Sequence, residues 1–469
     1  MSRQDAVARA ADYFDRGAFR ADLARRVAMP TESQTGERME ALHAYLTDEM
    51  IPCVEKLGFT CRVVENPATG YGPFLIAERH EADGLPTVLT YGHGDVIFGQ
   101  EGQWREGLAP WTIVEEGDRW YGRGTADNKG QHTINIAALE QVLAARGGRL
   151  GFNCKLLIEM GEEAGSPGLH AVAEQEREAL SADVLIGSDG PRLSSERPTV
   201  FLGSRGAFNF ELEVNLREGG HHSGNWGGVL ANAGTLLAHA IATLVDAKGQ
   251  ILVPGLKPTE IPAPVRAALA DVELEQSPSA PAIDPEWGEP GLSPAEKVYG
   301  WNTLEVLAFK TGAPEAPANA VPPNAKATLQ LRFVVGTDPA TIIPLVEAHL
   351  ATKGFGQITV KASRMATFQA TRVDPTDPWV DFALASIRQT TGKAPALLPN
   401  LGGSLPNDVF ALILGMPTIW VPHSYPACSQ HAPNEHLLAS VAREALQLMA
   451  GLFYDLGEDG SRIVKARAA

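Results

Sequence analysis

The chain has 469 residues, too many for one ordinary hydrophobic core, so its length predicts two or three domains, or one domain with a large insertion. With 39 Lys and Arg residues against 56 Asp and Glu residues, the formal net charge is −17, which disfavours nucleic acid and anionic lipid as general partners. No apolar run approaches the roughly 20 residues that a membrane-spanning helix requires.

The N-terminus and the cysteines indicate the compartment. The opening residues, Met1-Ser-Arg-Gln-Asp-Ala, lead into Ala- and Arg-rich helical sequence without the apolar stretch of a secretory signal. The four cysteines fit no zinc-knuckle spacing and are interpreted as reduced thiols: Cys53, Cys61, Cys154 and Cys428. These features predict a cytoplasmic protein that has neither nucleic-acid nor membrane partners.

The first 203 residues alternate between helical and short apolar segments. Helical periodicity predicts helices over 4–28, 36–51 and 133–146, the last stopped by two glycines. Continuous apolar runs predict strands buried on both faces at 87–91, 155–159 and 184–187. This alternation is typical of an α/β fold with a mostly parallel sheet, in which ligands bind beyond the carboxyl ends of the strands.

The sequence pattern changes after residue 203. Alternating apolar and polar residues predict exposed-face strands at 208–214 and 325–335, and helices follow them at 231–247 and 339–353. These elements predict a smaller α+β domain over 204–366.

Two further segments complete the predicted organisation. Residues 254–294 contain nine prolines and little periodicity, which predicts a long irregular insertion. The α/β pattern returns from about residue 378, with a buried strand at 415–421. The chain is therefore predicted to form an α/β domain from residues 1–203 and 367–469, interrupted by the smaller domain.

Five motifs with carboxylate or imidazole side chains follow the predicted parallel strands. Their polar residues, in chain order, are His93 with Asp95, Asp127 in a glycine-rich loop, Glu162 with Glu163, Asp189, and His431. Each alone has an ordinary reading, such as a helix N-cap for Asp127 or a solvated acidic turn for the two glutamates. Together they would meet at one sheet edge, where mixed imidazole and carboxylate ligands suit zinc or a similar divalent ion.

In this order the motifs H-x-D-V, G-R-G-x-x-D-x-K-G, G-E-E, Asp and H-x-x-N-E closely resemble the co-catalytic di-zinc peptidases and amidohydrolases. That family includes carnosinase-type dipeptidases, glutamate carboxypeptidases, aminoacylases, succinyl-diaminopimelate desuccinylase and acetylornithine deacetylase. The resemblance covers nearly the whole chain. It implies a zinc-exopeptidase catalytic domain, with the inserted domain as a lid that forms a homodimer.

The resemblance also implies roles for the five motifs. Two divalent metal ions are expected, with zinc first and manganese or cobalt as alternatives. The implied ligands are a bridging Asp127, with His93 and Asp189 at one ion and Glu163 and His431 at the other. The implied catalytic residues are Glu162 as general base and Asp95 as the residue that orients His93. A cis peptide bond between Asp127 and Asn128 is expected as well.

The lid and the substrate loops match the family less completely. His222 resembles the lid histidine that stabilises the oxyanion, often from the partner subunit. The implied substrate-binding residues are Arg332 for a carboxylate, Asn319, Gly403 and Ser404. The departures are Leu401 before the G-G-S loop, where relatives often have an acidic residue, Gly220-His221 in place of the usual aspartate, and the long insertion.

These features predict a di-zinc metallopeptidase that hydrolyses dipeptides or small peptides with a free C-terminal carboxylate, as a dipeptidase or carboxypeptidase. An N-acyl-amino-acid amidohydrolase with the same metals remains the alternative. A metal-free binding protein on the same fold would require a lost ligand or base, and the sequence retains them all.

Overall fold

The computed structural model describes residues 2–274, 281–363 and 367–468. The strands, numbered in chain order, are β1 (Thr60–Val64), β2 (Phe74–Arg79), β3 (Thr87–His93), β4 (Val114–Glu116), β5 (Arg119–Tyr121), β6 (Asn153–Glu159), β7 (Val184–Gly187), β8 (Thr199–Phe201), β9 (Gly206–Asn215), β10 (His221–His222), β11 (Thr303–Thr311), β12 (Ala320–Val321), β13 (Asn324–Phe333), β14 (Thr359–Ala362), β15 (Ala396–Leu398), β16 (Thr418–Trp420) and β17 (His436–Leu438).

The helices, numbered in the same way, are α1 (Arg3–Asp15), α2 (Ala18–Val27), α3 (Met39–Ala44), α4 (Ile51–Glu55), α5 (Lys129–Ala145), α6 (Leu169–Gln175), α7 (Arg177–Leu180), α8 (Ser223–Trp226), α9 (Ala233–Leu244), α10 (Ala263–Leu269), α11 (Pro294–Tyr299), α12 (Ile342–Thr352), α13 (Pro378–Thr391) and α14 (Ala439–Ala468). The predicted helix over 36–51 is therefore interrupted, with π-helical geometry at Tyr45–Met50 between α3 and α4.

An eight-stranded sheet in the order β1-β2-β6-β3-β7-β16-β8-β15 lies at the centre of the α/β domain, which the resemblance implies to be the catalytic domain. The pairs β6–β3, β3–β7, β7–β16 and β8–β15 are parallel, whereas β1–β2, β2–β6 and β16–β8 are antiparallel. Strands β3, β6 and β7 are buried almost throughout because helices cover both faces. The predicted α/β fold with a mostly parallel central sheet is confirmed.

Helix α5 places the glycine-rich loop at the centre of this sheet. It begins at Lys129, earlier than predicted, and is buried on nearly all sides, as expected for a helix inside a core. A Cβ at Gly130 would lie 2.0 Å from the carbonyl oxygen of Thr125, so only glycine permits the tight turn between the loop and the helix. The turn fixes the position of Asp127, just before the helix.

The lid is built on a four-stranded antiparallel sheet in the order β11-β13-β9-β14. Helices α9 and α12 cover one face and share a core with Phe210, Leu329 and Val346. The sequence analysis did not predict β11, an edge strand whose residues are mostly exposed. A separate two-stranded ladder pairs β10 with β12.

The proline-rich insertion is more regular than predicted. It forms a 3₁₀ turn at Pro254–Leu256 and helix α10, and it ends where α11 begins at Pro294. Outside these elements the described residues of the insertion form no helix or strand, as predicted, and Pro254, Pro264 and Pro294 lie in the first turns of the elements. At the first helical position a missing N–H has no intrahelical partner to lose. Residues 275–280 of the insertion lie outside the described part of the chain.

The insertion packs on the catalytic domain even though it lies within the lid in sequence. Ile261, Val265 and Leu269 join a core cluster that also contains Leu398 and Phe410. Asn400 donates a hydrogen bond to the carbonyl oxygen of Tyr299, at the end of α11, at 2.7 Å, and Ile283 of the insertion lines the same cavity as Gly402. The insertion therefore forms part of the surroundings of the G-G-S loop at 402–404.

Two further expectations concern thiols and membranes. Cys53, Cys61, Cys154 and Cys428 all carry free thiols, and Cys154 and Cys428 are buried. Across residues 2–274, 281–363 and 367–468, no helix combines the length and the apolar character needed to cross a bilayer.

Candidate active site

Two groups of potential metal ligands share Asp127. One group contains His93, Asp127 and Asp189, and the other contains Asp127, Glu163 and His431. Within each group the ligand atoms lie within 4.8 Å of one another. His93 ends β3, Glu163 follows β6 and Asp189 follows β7, so the parallel strands bring their carboxyl ends together as expected.

Asp127 presents one carboxylate oxygen to each group. Its Oδ1 lies 3.0 Å from Nε2 of His93, and its Oδ2 lies 3.1 Å from Nε2 of His431. His431 Nε2 is also 3.0 Å from Oε2 of Glu163. The Asp127–Asn128 peptide bond is cis, the geometry that the resemblance implies. With one oxygen facing each group, the carboxylate of Asp127 could bridge two cations.

The donor atoms fit divalent cations. Oδ2 of Asp189 is buried, lies 3.7 Å from Nε2 of His93, and has no hydrogen-bond partner within the described part of the chain. Burial, followed by the charge of Asp127, raises the pKa of Asp189 to about 6 and that of Glu163 to about 7. A cation between these carboxylates would favour their ionised forms and satisfy the unpartnered oxygen.

Glu162 stands beside the ligands without belonging to either group. Its Oε2 lies 4.0 Å from Nε2 of His93, and burial raises the pKa of Glu162 well above its usual value. A carboxylate that readily takes up a proton at this place suits a general base.

Asp95 contacts two different parts of the site. Its backbone carbonyl oxygen lies 3.1 Å from Nδ1 of His93, whereas its nearer carboxylate oxygen is 3.5 Å from the same atom. The carboxylate accepts hydrogen bonds from the backbone N–H groups of Glu162 and Glu163 at 3.2 and 3.0 Å. Asp95 thus links the strand that carries His93 to the turn that carries both glutamates.

A cavity of about 730 Å³ joins this cluster to the substrate loops. Its lining includes Asp127, Glu162, Asp189 and His431 at one part, and Arg332, Gly403 and Ser404 at another. Arg332, on lid strand β13, donates a hydrogen bond from Nη1 to Oγ of Ser404 at 2.8 Å. The predicted carboxylate anchor therefore lines the same cavity as three of the predicted metal ligands, Asp127, Asp189 and His431.

Two of the predicted residues lie elsewhere. His222 is exposed on the lid and accepts a hydrogen bond at Nδ1 from the backbone of Gly224. Asn319 lies beside it, because its carbonyl oxygen accepts hydrogen bonds from Ser223. Neither residue lines the cavity.

The sequence analysis assigned no role to three residues that contact the site. Gln430 donates a hydrogen bond to Oδ2 of Asp127. Arg205, buried beside Arg332, donates from Nε to the carbonyl oxygen of Gly402 at 2.9 Å. Glu435 accepts hydrogen bonds from the loop that carries Asp127. Of these three residues, only Glu435 could have been found from the sequence, because it is the last residue of the H-x-x-N-E motif.

A peptidase family model and two dipeptidases are among the matches to this chain. The model of peptidase family M20/M25/M40 matches residues 89–455. A cysteinylglycine-S-conjugate dipeptidase of Corynebacterium striatum is 28% identical over 364 residues, which cover 76% of this chain and 77% of the relative. The β-Ala-His dipeptidase of Mus musculus is 37% identical over 188 residues, which cover 39% of this chain and 37% of that protein.

Solved structures share the whole architecture. The M20 family metallo-carboxypeptidase Sso-CP2 from Sulfolobus solfataricus superposes with a TM-score of 0.77 at 26% identity and covers 93% of this chain and 98% of its own. Human carnosine dipeptidase 1 has a TM-score of 0.73 at 22% identity and covers 96% of this chain and 100% of its own.

The fold and the relatives define a metal-dependent hydrolase, and its two candidate ligand groups share one carboxylate. The chain belongs to peptidase family M20/M25/M40, whose model matches most of its length.

Proposed function

We propose that this protein is a di-zinc dipeptidase that cleaves small peptides with a free C-terminal carboxylate. One observation carries the proposal, namely a cavity lined by members of both ligand groups and by the Arg332–Ser404 pair. Arg332 would bind the substrate carboxylate, and its fixed separation from the ligand groups would select short substrates. Two dipeptidases among the relatives support this reading.

The reaction divides among the residues of the cavity. When bound by the two ligand groups, divalent ions would polarise the scissile carbonyl and make a water easier to deprotonate. Glu162 would take the proton from that water and return it to the leaving nitrogen. Arg332, with the G-G-S loop, would hold the carboxylate end still, and Asp95 would keep Glu162 and Glu163 in place through their backbone N–H groups.

An N-acyl-amino-acid amidohydrolase is a second candidate, and the cavity lining favours it. Apart from Asp127, Glu162 and Asp189, no carboxylate lines the cavity among the residues that the structure describes. Leu401, Val298 and Ile283 contribute an apolar wall instead. A free ammonium group would find no other negative partner there, whereas an uncharged acyl group would fit the apolar wall.

We also propose that two copies of the chain form a dimer through the lid. Strand β11 lies at the edge of the lid sheet and exposes Val306, Leu307 and Phe309 at 42%, 52% and 44%. An apolar edge strand offers unpaired backbone groups and apolar surface to a second copy. In such a dimer His222 of the partner subunit would complete the site as oxyanion donor.

The free thiols of the four cysteines support the cytoplasm as the location of the protein.

A substrate panel tests the proposal. The zinc-loaded enzyme would be given free dipeptides, the same dipeptides with a C-terminal amide, and N-acyl amino acids. We expect free dipeptides to be cleaved and amides to be spared. Glu162→Gln should lower kcat by about 10²–10⁴-fold while both ions remain bound.

The outcomes separate the candidates. Preference for N-acyl amino acids over free dipeptides would move the assignment to an amidohydrolase with the same site. Equal cleavage of free and amidated dipeptides would contradict the carboxylate anchor. Full activity in Glu162→Gln would remove Glu162 from the chemistry.

A further inference from the structure

Glu435 is a fully buried carboxylate that holds the loop carrying Asp127. Its Oε1 accepts hydrogen bonds from the backbone N–H groups of Gly124, Ala126 and Asp127 at 3.0, 2.9 and 3.1 Å. Its other oxygen, Oε2, accepts from Nη1 of the buried Arg123 at 2.8 Å. One side chain from the C-terminal part of the catalytic domain thus organises three donors of a loop more than 300 residues earlier in the sequence.

The same pair holds the loop that carries His431. Arg123 Nη1 also donates to the carbonyl oxygen of Ala432 at 3.1 Å, and the carbonyl oxygen of Glu435 accepts from the N–H of Gly122 at 3.0 Å. This second loop has left-handed backbone conformations at Ser429, His431 and Asn434, with φ of 58°, 59° and 65°. Such conformations persist in non-glycine residues only where the surroundings impose them.

We propose that Glu435 is a positioning residue that sets the affinity of the site for its metal ions. It fixes, relative to each other, the bridging carboxylate of Asp127 and the imidazole of His431, which come from loops far apart in sequence. Without it, the Asp127 loop loses the acceptor for three N–H groups, and Arg123 loses its charged partner. The ligands would then have to be ordered by the metal itself, which lowers the apparent affinity.

The proposal concerns metal binding and does not depend on which amide substrate is cleaved. Residues that orient ligands typically change metal affinity by about 10–100-fold when mutated. Glu435→Gln keeps an acceptor oxygen for the three N–H groups but removes the charge that faces Arg123. Glu435→Ala removes both. We therefore expect a loss of about 10-fold in zinc affinity for Glu435→Gln and about 100-fold for Glu435→Ala.

Zinc competition with a chromogenic chelator, on the metal-stripped full-length chain, measures this affinity directly. Asp455→Asn and Asp455→Ala are matched controls, because Asp455 is a partly buried carboxylate that accepts hydrogen bonds from Arg3 and Ser386, in α1 and α13. The controls should lower the melting temperature without changing zinc affinity. Activity of the Glu435 variants should recover at saturating zinc, with KM close to that of the wild type.

Several outcomes would overturn the proposal. Unchanged zinc affinity in Glu435→Gln and in folded Glu435→Ala would reduce Glu435 to a structural role, and unchanged affinity in Glu435→Gln alone suffices if Glu435→Ala does not fold. An equal loss of affinity in the Asp455 variants would show that general destabilisation is the cause. A wild-type chain that binds no zinc would refute both this inference and the proposed function, whereas failure of the substrate panel alone would leave this inference standing.

Discussion

The metal-ligand cluster and the lid motif differ in how completely one chain builds them. His93, Asp127 and Asp189 are buried and lie within 4.8 Å of one another. His222 is exposed and has a hydrogen bond from its neighbour Gly224. One chain therefore brings these candidate ligands together by itself, whereas it leaves His222 on the surface of the lid, outside the cavity.

The largest expected effect tests the ordered half of this comparison. Asp127→Asn leaves one acceptor oxygen where two are needed to reach both groups. We expect the variant to retain fewer than two zinc ions and to lose nearly all activity. Elemental analysis after dialysis measures the number of bound zinc ions. Asp118→Asn is the control, because Asp118 accepts hydrogen bonds from Ser440 and belongs to neither ligand group. Two tightly held ions in Asp127→Asn would contradict the bridging role.

The next effect tests whether His222 acts across subunits. His222→Ala should lower kcat by about 10²–10³-fold, as removal of an oxyanion donor does. Mixed dimers of Glu162→Gln with His222→Ala subunits contain one site that has Glu162 and a partner's His222. Random mixing of two otherwise inactive variants should therefore restore about a quarter of the wild-type activity in a two-fold dimer.

The opposite result, no recovery of activity on mixing, would contradict a role of His222 across subunits. If His222 acts within its own subunit, each site of the mixed dimer lacks one of the two residues, and mixing restores nothing. A monomeric mass with full activity would remove the lid dimer altogether, and light scattering of the active enzyme measures that mass.

The α/β domain could be predicted from the sequence more completely than the lid. The catalytic fold could be read because β3, β6 and β7 are short, continuously apolar and each followed by a polar motif. Residues at the ends of neighbouring parallel strands lie at one edge of the sheet, so the topology explains why His93, Glu163 and Asp189 come near each other. Boundaries were less accurate, as at α5, where Lys129 and Gly130 were predicted to lie in a loop although they form the start of the helix.

The rest depends on tertiary contacts that leave no local pattern. The docking of α10 on the catalytic core requires Val265 and Leu269 to meet Leu398, and seven helical residues carry too little periodicity to show it. Glu435 looks like a surface residue until the Asp127 loop folds over it. Strand β11 escaped prediction because an edge strand with an exposed apolar face lacks the alternation that marks a half-buried strand.

A smaller effect tests a residue that connects the two regions. Arg332 belongs to lid strand β13 and contacts Ser404 of the catalytic domain. Arg332→Lys removes the planar fork and should cost about 1.5–3 kcal/mol of substrate binding, which raises KM for free dipeptides roughly 10–100-fold. Lys326→Gln on the same strand is the control, because the exposed Lys326 pairs with Glu211 of the lid and does not line the cavity. An equal rise in KM for amidated dipeptides would show that Arg332 does not bind the carboxylate.

The smallest expected effect is on local stability. Metal ions bind the folded site and stabilise what they touch by an amount that grows with concentration, about 2.7 kcal/mol at 100 times Kd. Removal of zinc should therefore increase amide hydrogen exchange in the loops at 122–130 and 428–436, which hold Asp127 and His431. The lid sheet, whose core residues Phe210 and Leu329 lie in a separate cluster, should exchange as before. If zinc removal instead loosened β9 and β13 as much as the loops, the lid would be energetically tied to the metals, and the contrast between an ordered catalytic site and an independent lid would fail.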